Sequence, residues 1–197
     1  MSASSQQMIA EIKEKLGNKC LVFVGMMGSG KSAIGRLVAK TLSLEFHDSD
    51  TEIEKAADMS VAEIFEHYGE EEFRRGEQKV IERLLASGPL VLALGGGAFL
   101  SKETRAIIEK RATSIWLAAD VELLHSRVMR KPGKRPLLAN GDSLQILHDL
   151  SKTRNPIYQL ADLKIESADT SKTRTKDMTI SHLHEYFCDD FSAGRNS

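Results

Sequence analysis

The chain has 197 residues, with 27 Lys and Arg against 28 Asp and Glu, so its formal net charge is −1. Its apolar fraction of 41% and charged fraction of 28% match those of soluble globular proteins and exclude an intrinsically disordered chain. This length predicts a single domain with a sizeable core. A net charge this close to zero argues against a nucleic-acid coat or a membrane-surface protein, so any anion site must be local.

The cysteine content and the short apolar runs favour a reducing, cytoplasmic setting. Cys20 and Cys188 are the only cysteines, which suits neither a disulfide framework nor a zinc site. His182 and His184 lie two apart on a predicted helix and point to different faces, so they predict no shared metal. The longest nearly unbroken apolar run, 21–27, is far shorter than the ~20 residues of a membrane span. We expect a cytoplasmic monomer without membrane or nucleic-acid partners.

The first elements alternate between helix and strand. Apolar residues recur at helical spacing over 4–16, which predicts an amphipathic helix. The run 20–24 is continuously apolar and rich in β-branched residues, as in a strand buried on both faces of a parallel sheet. A helix then follows a glycine-rich loop, and a short strand at 44–46 leads into an acidic pair. From 51 to 87 the pattern is helical, with breaks near residues 58 and 69.

The rest of the chain continues this alternation and predicts an α/β fold: an open parallel β-sheet flanked by helices. We assign 18–187 to the core, 1–17 to an N-terminal helical extension and 188–197 to a flexible tail, with substrate-binding helices at about 50–87. The remaining predicted strands are 90–94, 113–117 and 162–166, and the remaining predicted helices are 101–110, 120–130, 143–159 and 173–187.

Residues 25–32, GMMGSGKS, match the P-loop pattern G-x-x-x-x-G-K-[ST] between a buried strand and a helix. Glycines let successive backbone N–H groups point at a phosphate, and the helix N-terminus adds partial positive charge. Lys31 reaches the β- and γ-phosphates, and the Ser32 hydroxyl binds Mg²⁺. The motif therefore predicts a nucleoside triphosphate site. Its predicted contacts are Gly28, Ser29, Gly30, Lys31, Ser32 and Ala33.

The acidic pair Asp48 and Asp50 lies where the second strand ends. Two residues apart in an extended segment, both carboxylates point the same way, toward the edge of the sheet where ligands bind. One can hold Mg²⁺ while the other accepts a hydrogen bond from a substrate hydroxyl. Alternatively, they are N-caps of a helix at 51–57, a role that Asp50 can fill.

Four further features favour an anionic substrate without proving one. Arg74 and Glu77 share a helix face, which is also typical of a surface pair. Glycines 95–97 leave the end of a strand bare, so a ligand can approach the backbone. Arg154 suits bidentate capture of a carboxylate. The basic segment 130–142 is either a solvated loop or a lid that folds over the triphosphate.

Taken together, these residues resemble the shikimate kinases of the nucleoside-monophosphate-kinase-like P-loop group. The resemblance covers roughly residues 20–166. It implies transfer of the ATP γ-phosphoryl group to the 3-hydroxyl of shikimate, with Mg²⁺ as cofactor. The segments that carry it are GMMGSGKSAIGR, FHDSDTEIE, IFEHYGEEEFRRGE, LALGGG, RPLL and RNPIY.

The resemblance also implies roles for individual residues. Arg74 and Arg154 would bind the carboxylate of shikimate, and Asp50 would bind its ring hydroxyls. Ser32 and Asp48 would hold Mg²⁺. Arg135 would reach ATP from the lid, and Lys31, Asp50 and Arg135 would be the catalytic residues. The implied shikimate-binding set is Asp50, Arg74, Gly95, Gly96, Gly97 and Arg154.

Two other classes of function stay open from the residues themselves. One is a different small-molecule kinase, such as a gluconate kinase-like enzyme or a nucleotide kinase. The other is a non-catalytic ATP-binding module. The acidic pair, the glycines and the arginines suit a carboxylated polyol better than a base-reading pocket, and a binding module needs no lid.

Overall fold

A computed structural model describes residues 3–130, 142–168 and 171–188. Residues 131–141 of the lid predicted at 130–142, including Arg135, and the predicted tail beyond Cys188 lie outside these residues. The strands are β1 (Cys20–Val24), β2 (Glu45–Asp48), β3 (Leu90–Ala93), β4 (Ala112–Ala118) and β5 (Leu163–Glu166). The helices are α1 (Ala3–Leu16), α2 (Lys31–Leu42), α3 (Ser49–Ala57), α4 (Val61–Ala86), α5 (Lys102–Arg111), α6 (Val121–Met129), α7 (Ser143–Tyr158) and α8 (Lys172–Cys188).

The strands form one parallel sheet in the order β2-β3-β1-β4-β5, which confirms the predicted fold class. Strand β1 lies at its centre and is buried along its whole length. Leu21 and Phe23 pack into one core layer, while Val22 and Val24 pack into the other. The continuous apolar run of β1 follows from helices covering both faces of the sheet.

The two core layers differ in which helices close them. On one side lie α1, α2 and α8, with Ile12, Val38 and Leu183 fully buried. On the other lie α4, α5 and α7, with Ile81, Ile108 and Tyr158 buried at 0–2% exposure. The amphipathic helix predicted at 4–16 is confirmed, and its apolar face packs on α8. None of the described helices combines the length and apolarity that crossing a membrane requires.

The junction of β2 and α3 differs from the prediction. Strand β2 extends to Asp48 and α3 begins at Ser49 without an intervening loop, so Asp50 lies in a first helical turn and not in an extended segment. Asp48 is the N-cap, and its side chain accepts a hydrogen bond from the Asp50 backbone N–H at 3.2 Å. The expectations of an extended segment at Asp50 and of Asp50 as N-cap were therefore wrong. The Asp48 side chain accepts from the backbone N–H two residues later and so occupies the N-cap position.

The predicted breaks lie between α3 and α4 and inside α4. Ser60 and Glu63 form a capping box at its start, and the helix kinks at Gly69, where φ is +78°. A left-handed backbone angle interrupts the helical hydrogen bonds and is accessible to glycine at little cost. The second half of α4 carries Arg74 and Glu77 toward the end of β3.

Candidate active site

The loop between β1 and α2 folds tightly because its glycines adopt backbone angles that other residues avoid. The φ angle is +134° at Gly25, +82° at Gly28 and +99° at Gly30. A Cβ atom on Gly25 would lie 2.7 Å from the Leu117 carbonyl oxygen, and one on Gly28 would lie 3.0 Å from that of Leu124. The glycines of the predicted P-loop are thus required both by the shape of the loop and by its approach to β4 and α6.

The loop leads into the N-terminus of α2, where Lys31 folds back across it. The Lys31 ammonium donates to the carbonyl oxygens of Gly25 at 2.8 Å and Met26 at 3.0 Å. Gly30 is the N-cap of α2 and supplies no side-chain hydrogen bond. Because the first backbone N–H groups of a helix have no acceptor within the helix, this end of α2 suits a phosphate group.

The residues that follow the P-loop lysine connect α2 to the end of β2. The Ser32 hydroxyl donates to Oδ2 of Asp48 at 2.5 Å, and Ala33 follows in the first turn of α2. Ser29 is 1% exposed, and its backbone N–H donates to Met26 at 3.2 Å, so it shapes the loop. A hydroxyl beside a carboxylate offers the hard oxygen ligands that Mg²⁺ prefers. The pair Ser32 and Asp48 fits the predicted magnesium site.

Glycines 95–97 leave the end of β3 without side chains, and charged groups from other segments occupy that space. A Cβ atom on Gly95 would lie 2.5 Å from Oδ1 of Asp50. One on Gly97 would lie 2.4 Å from Nη2 of Arg74. The missing side chains therefore let a carboxylate of α3 and a guanidinium of α4 approach the same loop.

The middle glycine brings a third segment to this place. The hydroxyl of Tyr158 and the guanidinium of Arg154 both donate to the Gly96 carbonyl oxygen, the latter at 3.5 Å. A Cβ atom on Gly96 would lie 3.8 Å from Nη1 of Arg154 and 3.8 Å from the backbone nitrogen of Met27 in the P-loop. The pocket formed by Asp50, Arg74 and Arg154 thus adjoins the predicted phosphate site.

Glu77 holds Arg74 in the pocket. Its Oε2 accepts from Nη1 of Arg74 at 2.7 Å, and Glu77 is only 2% exposed. In the part of the chain that the structure describes, nothing donates to its other oxygen, which lies 3.1 Å from the Cβ position of Gly95 on the same side as Asp50. Two carboxylates therefore converge on one glycine.

Burial and mutual repulsion change how these acids titrate. Burial raises the pKa of Asp50, the neighbouring charge of Asp48 raises it further, and Lys31 opposes the rise. Burial also raises the pKa of Glu77, against the lowering effect of Arg74. A carboxylate whose pKa is raised binds a proton more readily than an ordinary one, which is a property of groups that accept protons in catalysis.

Three site residues were not assigned from sequence. The sequence pairs Glu77 with Arg74 on one helix face but does not reveal that Glu77 is buried. Tyr158 lies one helical turn after Arg154, which is the signal that could have found it. Arg127 connects α6 to the end of β5: it donates to the Ser167 hydroxyl and to the Ala168 carbonyl oxygen, both at 3.0 Å. Nothing local in the sequence predicts that contact.

The parallel sheet and the site together make this chain a P-loop kinase. A gluconokinase from Sinorhizobium meliloti has the same fold, with a TM-score of 0.62 at 15% identity over 90% of this chain and 98% of that one. A shikimate kinase from Acinetobacter baumannii, solved in complex with shikimate, matches with a TM-score of 0.80 at 33% identity, over 91% of this chain and 98% of that one.

Sequence comparison defines the family more narrowly. The shikimate kinase family model matches residues 27–184. A shikimate kinase of Brucella canis is 51% identical over 161 residues, covering 82% of this chain and 80% of its own. One of Bradyrhizobium diazoefficiens is 48% identical over 184 residues, covering 93% and 88%. The chain belongs to the shikimate kinase family, and it is an ATP-dependent kinase.

Proposed function

We propose that this protein transfers the γ-phosphoryl group of ATP to the 3-hydroxyl of shikimate, giving shikimate 3-phosphate and ADP. The observation that carries the proposal is the loop 95–97, around which Asp50, Arg74 and Arg154 converge beside the P-loop. Shikimate is a monocarboxylate with three hydroxyl groups. It therefore needs guanidinium groups at one end of its site and a hydrogen-bond acceptor at the other, and this pocket contains both.

Within this proposal, Arg74 and Arg154 bind the carboxylate of shikimate. A guanidinium presents N–H groups in a planar fork that matches a carboxylate, and such charged contacts are stronger than neutral ones. Glu77 keeps the fork of Arg74 in one orientation through its 2.7 Å contact. Glycines 95, 96 and 97 line the space between and leave the backbone open to the substrate.

Asp50 is proposed to accept the hydrogen bond of the reacting hydroxyl. Phosphoryl transfer passes through a loose transition state, so alignment of the attacking oxygen and stabilisation of charge contribute more than early proton removal. The raised pKa of Asp50, caused first by burial, suits a group that takes the proton as the new bond forms. Its other task is to orient the hydroxyl toward the P-loop.

At the nucleotide end, we propose that three parts of the chain bind the triphosphate: Lys31, the P-loop backbone from Gly28 to Gly30, and the first turn of α2 at Ala33. Ser32 and Asp48 would hold Mg²⁺, which when bound neutralises charge on the phosphates. Arg135 is assigned to the same phosphates from the sequence alone. Lys31 would stabilise the charge that develops on the transferred group.

We further propose that the protein acts in the cytoplasm as a monomer on these two small molecules. The location rests on its cysteines, Cys20 and Cys188, which are both free thiols, as is usual in a reducing compartment.

A panel of phosphoryl acceptors tests the proposed function. Purified protein with Mg²⁺ and ATP is expected to release ADP when shikimate is added, and far less with gluconate, AMP or no acceptor. Gluconate tests the other small-molecule kinase, AMP tests a nucleotide kinase, and the sample without acceptor measures ATP hydrolysis. Equal turnover with every acceptor, or none with shikimate, would refute the proposed substrate.

A further inference from the structure

A second cluster of reactive side chains lies outside the P-loop, where α1 packs against α8. Glu11 comes from α1, and His184 and Cys188 come from α8. Nε2 of His184 lies 2.5 Å from Oε2 of Glu11, and Sγ of Cys188 lies 4.0 Å from the same oxygen. The three ligand atoms lie within 4.8 Å of one another. We propose that this cluster binds a divalent metal ion of the zinc type.

The backbone holds the three groups in place. His184 and Cys188 are four residues apart on one helix and therefore share a face. The contact between the two helices is anchored beside them by Ile12 and Leu183, which are both fully buried. A metal site built on two packed helices is better ordered than one built on loops.

The ligand types select the ion. Thiolate, imidazole and carboxylate together suit zinc, whereas Mg²⁺ and Ca²⁺ prefer oxygen alone. Zinc bonds of about 2.3 Å to sulfur and about 2.0–2.2 Å to nitrogen and oxygen place tetrahedral ligand atoms roughly 3.3–3.7 Å apart. The cluster reaches this geometry if the contact between Glu11 and His184 opens by about 1 Å and Cys188 closes slightly. Water can take the fourth position.

Charge and hydrogen bonding support the same conclusion. One carboxylate and one thiolate balance the two charges of the ion, and binding releases the proton of the Cys188 thiol. The other carboxylate oxygen of Glu11 accepts from the side-chain amide of Gln7 at 3.0 Å. Outer contacts of this kind orient a metal ligand, so Oε2 stays directed at His184 and Cys188.

The site joins the two ends of the chain and is separate from kinase chemistry. Glu11 and Cys188 both lie outside residues 27–184, which the shikimate kinase family model matches. The pattern also explains why the sequence did not reveal the site: its cysteine pairs with no second cysteine, and its ligands lie 177 residues apart in the chain. We expect the bound ion to fasten α1 to α8.

Cobalt(II), a coloured substitute for zinc, provides the test. The full-length protein is titrated with cobalt(II) in the presence of excess Mg²⁺, which keeps the Ser32 and Asp48 site occupied. We expect one ion per chain, with the absorption band of a cobalt–thiolate bond. Cys188→Ser should remove that band and weaken cobalt and zinc binding at least about tenfold. Zinc should also raise the Tm of the wild type more than that of Cys188→Ser.

Matched variants separate a metal site from an ordinary ion pair. Glu11→Gln and His184→Gln should weaken binding as Cys188→Ser does. His148→Gln is the control, because it removes a histidine that lies 3.7 Å from a carboxylate of Glu122 outside the cluster. Cys188 is exposed, so its variant should fold even if the others do not. Wild-type protein without a cobalt–thiolate band, or Cys188→Ser that binds cobalt as tightly as wild type, would overturn the proposal.

Discussion

The two ends of the proposed kinase site are built in different ways. Among the described residues, the proposed nucleotide end is almost continuous in the chain. Residues 25–33 supply the loop, its lysine and the start of a helix, and Asp48 adds a carboxylate from the end of β2. The acceptor end is assembled from α3, α4, α7 and the loop after β3. A contiguous loop can be recognised from its own residues, whereas the acceptor pocket exists only because three bare glycines let distant charges meet. Variants can therefore disturb one end and leave the other intact.

The largest separation should come from Asp50→Asn. The substitution keeps the size of the side chain but replaces one accepting oxygen with an amide NH2 that donates. Both the orientation of the shikimate hydroxyl and the acceptance of its proton are then impaired, so kcat with shikimate should fall on the order of 10²–10⁴-fold while the affinity for ATP is retained. Steady-state kinetics and nucleotide calorimetry measure the two effects. Asp58→Asn at the other end of α3 is the control, because Asn tolerates the positive φ found there. A kcat within a few fold of wild type would exclude Asp50 from the reaction.

The arginines should give a smaller effect that is confined to shikimate binding. Arg74→Ala or Arg154→Ala removes one charged partner of the carboxylate, which costs about 2–5 kcal/mol, or roughly 30-fold or more in affinity. Arg75→Ala is a matched control, since Arg75 is adjacent to Arg74 but exposed and paired with Glu71 and Glu72. If calorimetry gives all three variants the shikimate affinity of wild type, the carboxylate site is misplaced.

A third comparison concerns stability and pH. Because burial raises the pKa of Asp50 in the folded protein, the folded state holds its proton more tightly than the unfolded state does. The free energy of unfolding of the wild type should therefore decrease as pH rises from the ordinary aspartate range through the raised pKa. Asp50→Asn has no carboxyl group that titrates at this position. Urea titrations should therefore show that the free energy of unfolding of the variant, relative to that of the wild type, increases with pH. If the difference in free energy of unfolding between Asp50→Asn and the wild type does not change with pH, the pKa of Asp50 is not raised in the folded protein.

The sequence predicted those parts of the fold and site that depend on local patterns. Strand β1 and the P-loop follow from a buried apolar run and from glycine spacing. The start of α3 could not be predicted, because either aspartate can cap a helix and the hydrogen bond to Asp48 decides between them.

The roles of Glu77 and Tyr158 also escaped prediction, for a different reason. Each lies on a helix beside an arginine, and the sequence does not reveal which helix face the sheet will bury. Only the approach of α4 and α7 to the loop after β3 makes Glu77 an inward carboxylate and Tyr158 a donor to Gly96. Tertiary contacts of this kind leave no pattern in a single segment.

The most direct test of the acceptor end is the affinity for shikimate of Gly97→Ala and Gly76→Ala, measured by calorimetry. A methyl group at position 97 would lie 2.4 Å from the end of the flexible Arg74 side chain, so the protein should fold with that guanidinium displaced. At Gly76 nothing lies within 4 Å, and Ala in a helix should stabilise by about 0.5–1 kcal/mol.

We predict that Gly97→Ala loses at least about tenfold in shikimate affinity, or about 1.4 kcal/mol. The ATP affinities of Gly97→Ala and Gly76→Ala should both stay at the wild-type level. Equal shikimate affinity in Gly97→Ala and Gly76→Ala would contradict the conclusion that the bare end of β3 assembles the acceptor site.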